Sequence, residues 1–275
     1  MTYFIEQATV IDPLSPWHQR RVNLLIERGK ISAIDPDLEA PSKAKVLKSE
    51  RLYLSPGWVD IGASIGEPGL EHREDLASAA AAAARGGYTA VASMPNTQPP
   101  VHTKAEVQYI RNKSAHLPVD FHPIAAVSHD LNGKDITELY DLKAAGAVAF
   151  SDGRRPIQDS GLMLRALQYA QGFGGLIINR PLDSHLALDG QMHEGPTSTL
   201  LGMTGIPSIA EELMVHRDLE LAAFTGARLH ILNISTAGAV QQIRAAKKRG
   251  IAVTCSVAVM NLALEDTALE NFDSR

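Results

Sequence analysis

The sequence predicts an α/β fold, a TIM-like parallel (β/α) barrel, incomplete in this chain, preceded by a small N-terminal β-sandwich module. Three observations predict it. After Pro56, apolar strand-like runs alternate with helical stretches, the pattern of successive parallel βα units. Before about residue 55 the runs are short and separated by turn-like residues. A length of 275 residues, 45% hydrophobic and 21% charged, suffices to bury the core of one α/β barrel domain.

The expected division is therefore 1–55 for the β-module and 56–275 for the barrel. In the module, strands are predicted at Tyr3-Phe4-Ile5, Val22–Ile26, Ile31–Ile34 and Leu52–Leu54. Glu27-Arg28-Gly29-Lys30 between the second and third is a hairpin turn signal. Barrel strands are predicted at Trp58–Ile61, Thr89–Met94, Asp120–Ala126, Ala147–Phe150, Leu176–Asn179, Arg228–Asn233 and Ile251–Val257. Helices such as Arg73–Arg85, Lys104–Ala115, Ile209–Phe224 and Ala237–Lys248 fall between them. The run Ala79–Ala84 reads as a barrel helix, since Ala is the best helix former and lets a helix lie close to a sheet; Gly86-Gly87 ends it. Seven such strands are one short of a closed barrel, so the expectation is a barrel lacking its final strand, in a truncated chain.

Composition narrows the function classes. A net charge of −5 and the absence of a long basic run give no reason to expect nucleic-acid binding. Lys247-Lys248-Arg249 is most simply a solvated helix end. The single cysteine, Cys255, excludes an intrachain disulfide and suits a reducing compartment. No stretch of ~18 apolar residues marks a membrane span, and no basic-then-apolar pattern opens the chain, so the expected location is the cytoplasm.

The motifs are more specific. Pro56, Gly57, Asp60, Glu67, Pro68 and Gly69 keep the spacing of P-G-x-x-D-x-H-x-H-x-R-E-P-G. Met94–Pro100 reads M-P-N-T-Q-P-P, and Gly146–Gly153 is close to G-x-x-A-F-S-D-D-G. Gly205-Ile206-Pro207 with Ala210-Glu211-Glu212 forms another signature, and His230–Ala237 follows H-I-x-H-V-S-T-A. From the first barrel strand to its end, the chain resembles the dihydroorotase family of the amidohydrolase superfamily. The resemblance implies an amidohydrolase-type barrel and, in active members, zinc at its mouth.

It also implies where ligands and substrate anchors would stand. The two strand-one histidines are Gly62 and Ser64, and the arginine position is Gly66. The strand-four acid is retained as Asp152, but the second aspartate of D-D-G is Gly153. The strand-five histidine falls on Arg180, with Asn179 as the neighbouring alternative, and the strand-six histidine on Asn233. The paired histidines of P-H-H-L become Met260-Asn261. Asn96 matches the asparagine that helps hold the substrate carboxylate.

Gly62 offers no ligand atom, Ser64 a neutral hydroxyl, and Arg180 a permanent cation without a lone pair. A catalytic zinc takes about three protein ligands and an open position. The expectation is thus no metal, no other cofactor and no catalytic residue, with a salt bridge between Arg180 and Asp152 in the metal's space. None of the ten histidines forms H-x-H or H-E-x-x-H. His185, near Asp183, is the best candidate for a relocated ligand. The resemblance implies a non-catalytic partner of the aspartate transcarbamoylase catalytic chain, itself homo-oligomeric. The alternatives are an active amidohydrolase with a displaced metal site and a small-molecule sensor using the vestigial pocket.

Overall fold

A computed structural model describes residues 1–272. The chain divides into two compact units, Met1–Trp58 and the remainder from Val59 onward.

The first unit is built from β1 (Thr2–Val10), β2 (Arg21–Glu27), β3 (Lys30–Asp35), β4 (Lys45–Lys48) and β5 (Tyr53–Leu54). They form one mixed sheet, a single layer of the expected sandwich, in which β1 pairs antiparallel with β2 and parallel with both β4 and β5. The β2–β3 turn places Arg28 and Gly29 at positive φ, where glycine is unstrained. Val10, Val22 and Leu24 are buried and gather Ile5, Trp17, Ile34 and Leu54 around them.

The second unit contains seven strands in one sheet: β6 (Trp58–Ala63), β7 (Tyr88–Ser93), β8 (Asp120–Ala125), β9 (Ala149–Phe150), β10 (Leu176–Asn179), β13 (Arg228–Ile231) and β14 (Val253–Cys255). They lie side by side in chain order, and every pair from β7 to β14 is parallel. Helices α1 (Leu76–Arg85), α2 (Lys104–Ser114), α3 (Leu139–Ala145), α4 (Ser160–Gln171), α7 (Ile209–Thr225) and α8 (Ala237–Lys248) connect them. Between β10 and β13 an excursion inserts α5 (Ser184–Ala187), α6 (Pro196–Leu201) and the paired short strands β11 (Met192–His193) and β12 (Gly205–Ile206). The last regular helix is α9 (Met260–Ala263).

Strand alternation separates two apolar layers. Val91, Ala125, Phe150, Ile177 and Ile231 face the main core beneath the helices. Their neighbours Ala92, Ile124, Ala149, Ile178 and Leu232 form a second cluster on the other face, the interior of a curled half-barrel. Strands β6 and β14 stand at opposite ends of the sheet and are not paired with each other among the described residues. The predicted incomplete barrel is therefore what forms. Trp58, Val59 and Ile61 on the β6 edge are exposed.

The boundaries differ at helix and strand ends. Helix α1 begins at Leu76 rather than Arg73 because Asp75 caps it, accepting from the Ser78 N–H while Ser78 Oγ accepts from the Asp75 N–H. The β13 strand stops before Asn233, whose positive φ breaks the extended run. The excursion is too short and too mixed in composition to show a period in the sequence.

Candidate functional site

A cavity of about 630 Å³ opens at the C-terminal ends of the barrel strands. Parallel α/β sheets present their loops there, so side chains from separate strands converge. Gly62, Ser64, Arg180, Asn233 and Asn261 all line it. Five positions from four separate segments of the sequence thus share one cavity wall.

Gly62 lies on β6, Ser64, Arg180 and Asn233 lie just beyond the ends of β6, β10 and β13, and Asn261 lies on α9. Gly62 has φ +109 and stands against Met94; a Cβ there would lie 2.7 Å from the Met94 Cε. Arg180 follows Ile178 on the interior-facing side of β10, which brings its side chain to the cavity wall. Asn179 points the other way and is buried, its amide donating to Asp218 Oδ2 at 2.7 Å and its carbonyl accepting from the Ile157 N–H. Of the two alternatives for the strand-five position, Arg180 lines the cavity and Asn179 does not. Asn233 is held by Ser256, whose Oγ accepts from the Asn233 N–H and also contacts the ring of buried His230. Burial holds the His230 imidazole below its ordinary pKa.

Asp152 departs from its expected placement. Its Oδ1 accepts from the Val127 and Ser128 N–H groups, both at 2.9 Å, and its Oδ2 from the Ser128 hydroxyl at 2.5 Å. Burial pushes this carboxyl up, against the lowering effect of those donors. The carboxylate is engaged behind the wall and makes no salt bridge with Arg180. Gly153, rather than Asp152, faces the cavity.

The expected substrate anchors are also otherwise engaged. Asn96 accepts from the Arg154 N–H and donates to the Asp152 carbonyl, clamping the turn after β9. A Cβ on Gly153 would fall 1.9 Å from Asn96 Oδ1. Gly66 is buried, with a hypothetical Cβ only 2.2 Å from the Leu70 carbonyl oxygen, so no arginine side chain fits there in this conformation.

Zinc does not fit this donor set. Gly62, Ser64, Gly153, Arg180 and Asn233 supply no imidazole, thiolate or carboxylate, and the wall's His193 and Glu211, the latter already engaged by Ser235 and Thr236, fall short of the three ligands a catalytic zinc takes. Among the described residues no group of three or more His, Cys, Asp or Glu side chains could hold a metal ion. His185 is 89% exposed on α5, with Nδ1 3.8 Å from Asp183 Oδ1, and lies outside the cavity wall.

Several wall residues were not anticipated from the sequence. Arg154, His193, Ser235, Thr236 and Glu211 all contribute. Glu211 is buried, and its carboxylate accepts from the N–H and hydroxyl of both Ser235 and Thr236 at the start of α8. Arg154 could have been noticed, since it directly follows the Ser151-Asp152-Gly153 signature. His193 comes from β11 and carries no such signal.

Residues 51–239 match the family model described as "Dihydro-orotase-like". Similar proteins include the dihydroorotases of Syntrophus aciditrophicus (strain SB), 42% identical over 100% of this chain and 65% of that protein, and of Syntrophobacter fumaroxidans, 43% identical over 99% and 63%. The chain thus spans less than two thirds of the length of these curated relatives. Among solved structures, the L-hydantoinase (dihydropyrimidinase) from Arthrobacter aurescens superposes with a TM-score of 0.79 at 22% identity, covering 98% of this chain and 61% of that one. A D-hydantoinase gives 0.76 at 23% identity. The structural likeness shows that the fold is shared with these hydantoinases, and by the sequence match the chain belongs to the dihydroorotase-like family.

Proposed function

We propose that this protein is a catalytically inactive, dihydroorotase-like component of the pyrimidine pathway, serving as a non-catalytic partner of the aspartate transcarbamoylase catalytic chain. One observation carries the inactive part: the cavity where family ligands would converge is walled by Gly62, Ser64, Gly153, Arg180 and Asn233. Without a metal no bound water is acidified toward neutral pH and no amide carbonyl is polarised. The partnership rests on the family resemblance and on a folded half-barrel kept around a cavity without a set of metal ligands. Homo-oligomerisation and a cytoplasmic location belong to the same reading; no helix among the described residues is long and apolar enough to cross a membrane.

Two measurements test it. Elemental analysis of purified protein is expected to find no stoichiometric zinc, and assays of dihydroorotate hydrolysis and carbamoyl aspartate cyclisation are expected to stay at background. About one zinc per chain together with turnover would overturn the inactive reading. Native mass spectrometry with the aspartate transcarbamoylase catalytic chain is expected to give a mixed complex, and its absence would remove the partnership.

A further inference from the structure

We propose that the cavity at the strand ends binds a small dianionic oxyanion, a phosphate-bearing molecule or a dicarboxylate, through the guanidinium groups of Arg154 and Arg180. The inference rests on the reading that no metal occupies the cavity. Where a divalent cation would sit in an active relative, this chain places a permanent cation, Arg180, and Arg154 adds a second on the same wall.

The charges in the wall do not cancel. Among the described residues neither guanidinium makes a hydrogen bond or an ion pair; the contact made by Arg154 is through its backbone N–H to Asn96. The carboxylate in the wall, Glu211, is already engaged by Ser235 and Thr236. Arg154 also borders a neighbouring cavity of about 400 Å³ with Arg73 and Glu74, and Glu74 forms no salt bridge with either arginine among the described residues.

The neutral polar groups beside the two guanidiniums can also donate to an anion. Ser64, Asn233 and Asn261 each carry a neutral donor. A guanidinium presents paired N–H groups in a planar fork that matches carboxylate and phosphate oxygens. A volume of about 630 Å³ falls in the range of small-molecule sites. These anchors differ from the Gly66 and Asn261 positions expected from the resemblance, where the arginine and histidine side chains are gone.

Calorimetric titration of the full chain with pyrophosphate, inorganic phosphate and succinate, at ionic strength matched with chloride, tests the proposal. The same sample is first assayed for zinc. Saturable binding of at least one probe is expected, weakened tenfold or more by Arg180→Gln and by Arg154→Gln, and less by Arg180→Lys. Arg228→Gln, at the opposite end of β13, should leave it unchanged; circular dichroism checks that each variant is folded. A preference for the phosphates identifies a phosphate-bearing ligand, and a preference for succinate a dicarboxylate. Zinc-free protein that binds none of the three, or binds equally well after both glutamine substitutions, overturns the anion site and leaves the inactive reading standing. Stoichiometric zinc overturns that reading, and the anion site with it.

Discussion

Residues that keep the family pattern and residues that depart from it have different surroundings. Glu67, Asn96, Asp152 and Glu211 are retained, and each is engaged in hydrogen bonds that hold a loop or a helix end. Gly62, Gly153, Arg180 and Asn233 depart, and each faces the cavity. The hydrogen bonds of the first group serve the fold. Asp152→Ala should therefore behave as a structural variant: it strands two buried backbone N–H groups and should cost about 2–4 kcal/mol in a denaturation experiment. Binding of an anion in the cavity should persist in the folded fraction. Gly153→Asp, which restores a family residue, should also destabilise, because φ is +64 and the new Cβ would meet Asn96. A thermal melt no lower than that of the parent protein would show that the Asn96 clamp gives way more easily than its geometry implies.

At the scale of elements, the loop after β6 is pinned by one buried carboxylate. Glu67 Oε2 accepts from the Leu76 N–H at the start of α1, and Oε1 from Tyr109 and Lys113 on α2. Burial alone would raise this carboxyl, but the hydrogen bonds from Leu76, Lys113 and Tyr109 outweigh it and hold the pKa below the usual glutamate value. The ion pair pushes Lys113 up in turn. Since the folded carboxyl titrates below the unfolded one, its stabilisation is present above the unfolded glutamate pKa and is lost as pH falls through the folded value. Denaturation followed from pH 7 downward should show less acid destabilisation in Glu67→Gln than in the parent. A parallel pH dependence in the two proteins would remove Glu67 from that role. His230 acts in the same direction: its folded pKa lies below the unfolded value, so stability should fall as pH drops through about 6.5 and the unfolded imidazole takes up a proton.

For the whole molecule, the cavity wall comes from several strands, so partial repair of it should fail. Gly62→His with Ser64→His supplies two imidazoles but leaves Arg180 and Asn233 in place, and catalytic groups that act as a unit are strongly non-additive. With added zinc this double variant is expected to show no dihydroorotate turnover. Substantial turnover would mean that ligands come from elsewhere, with His193, which lines the cavity, the first to examine. The open sheet carries its own consequence. Its β6 edge leaves Trp58 and Ile61 exposed beside strand backbone unpaired among the described residues, so the protein should associate with rising concentration. Ile61→Lys should weaken that association in sedimentation, and an unchanged profile would exclude this edge as the contact.

The sequence by itself determined the alternation of strands and helices, the seven-strand count and the family. These depend on local period and on motifs of consecutive residues, which a linear reading contains. It also picked out Gly62, Ser64, Arg180, Asn233 and Asn261, which line the cavity, because the spacing of a motif stays readable when single residues in it differ. Only the tertiary structure decided which way side chains point once the backbone leaves regular extension. It turned Asp152 behind the wall toward Ser128, gave Asn96 to the turn at Gly153, and set Asn179 against Asp218 instead of the cavity. It alone brought Arg154 and His193 to the same wall as Arg180, since contacts between residues far apart in the chain depend on how the loops close and leave no periodic trace.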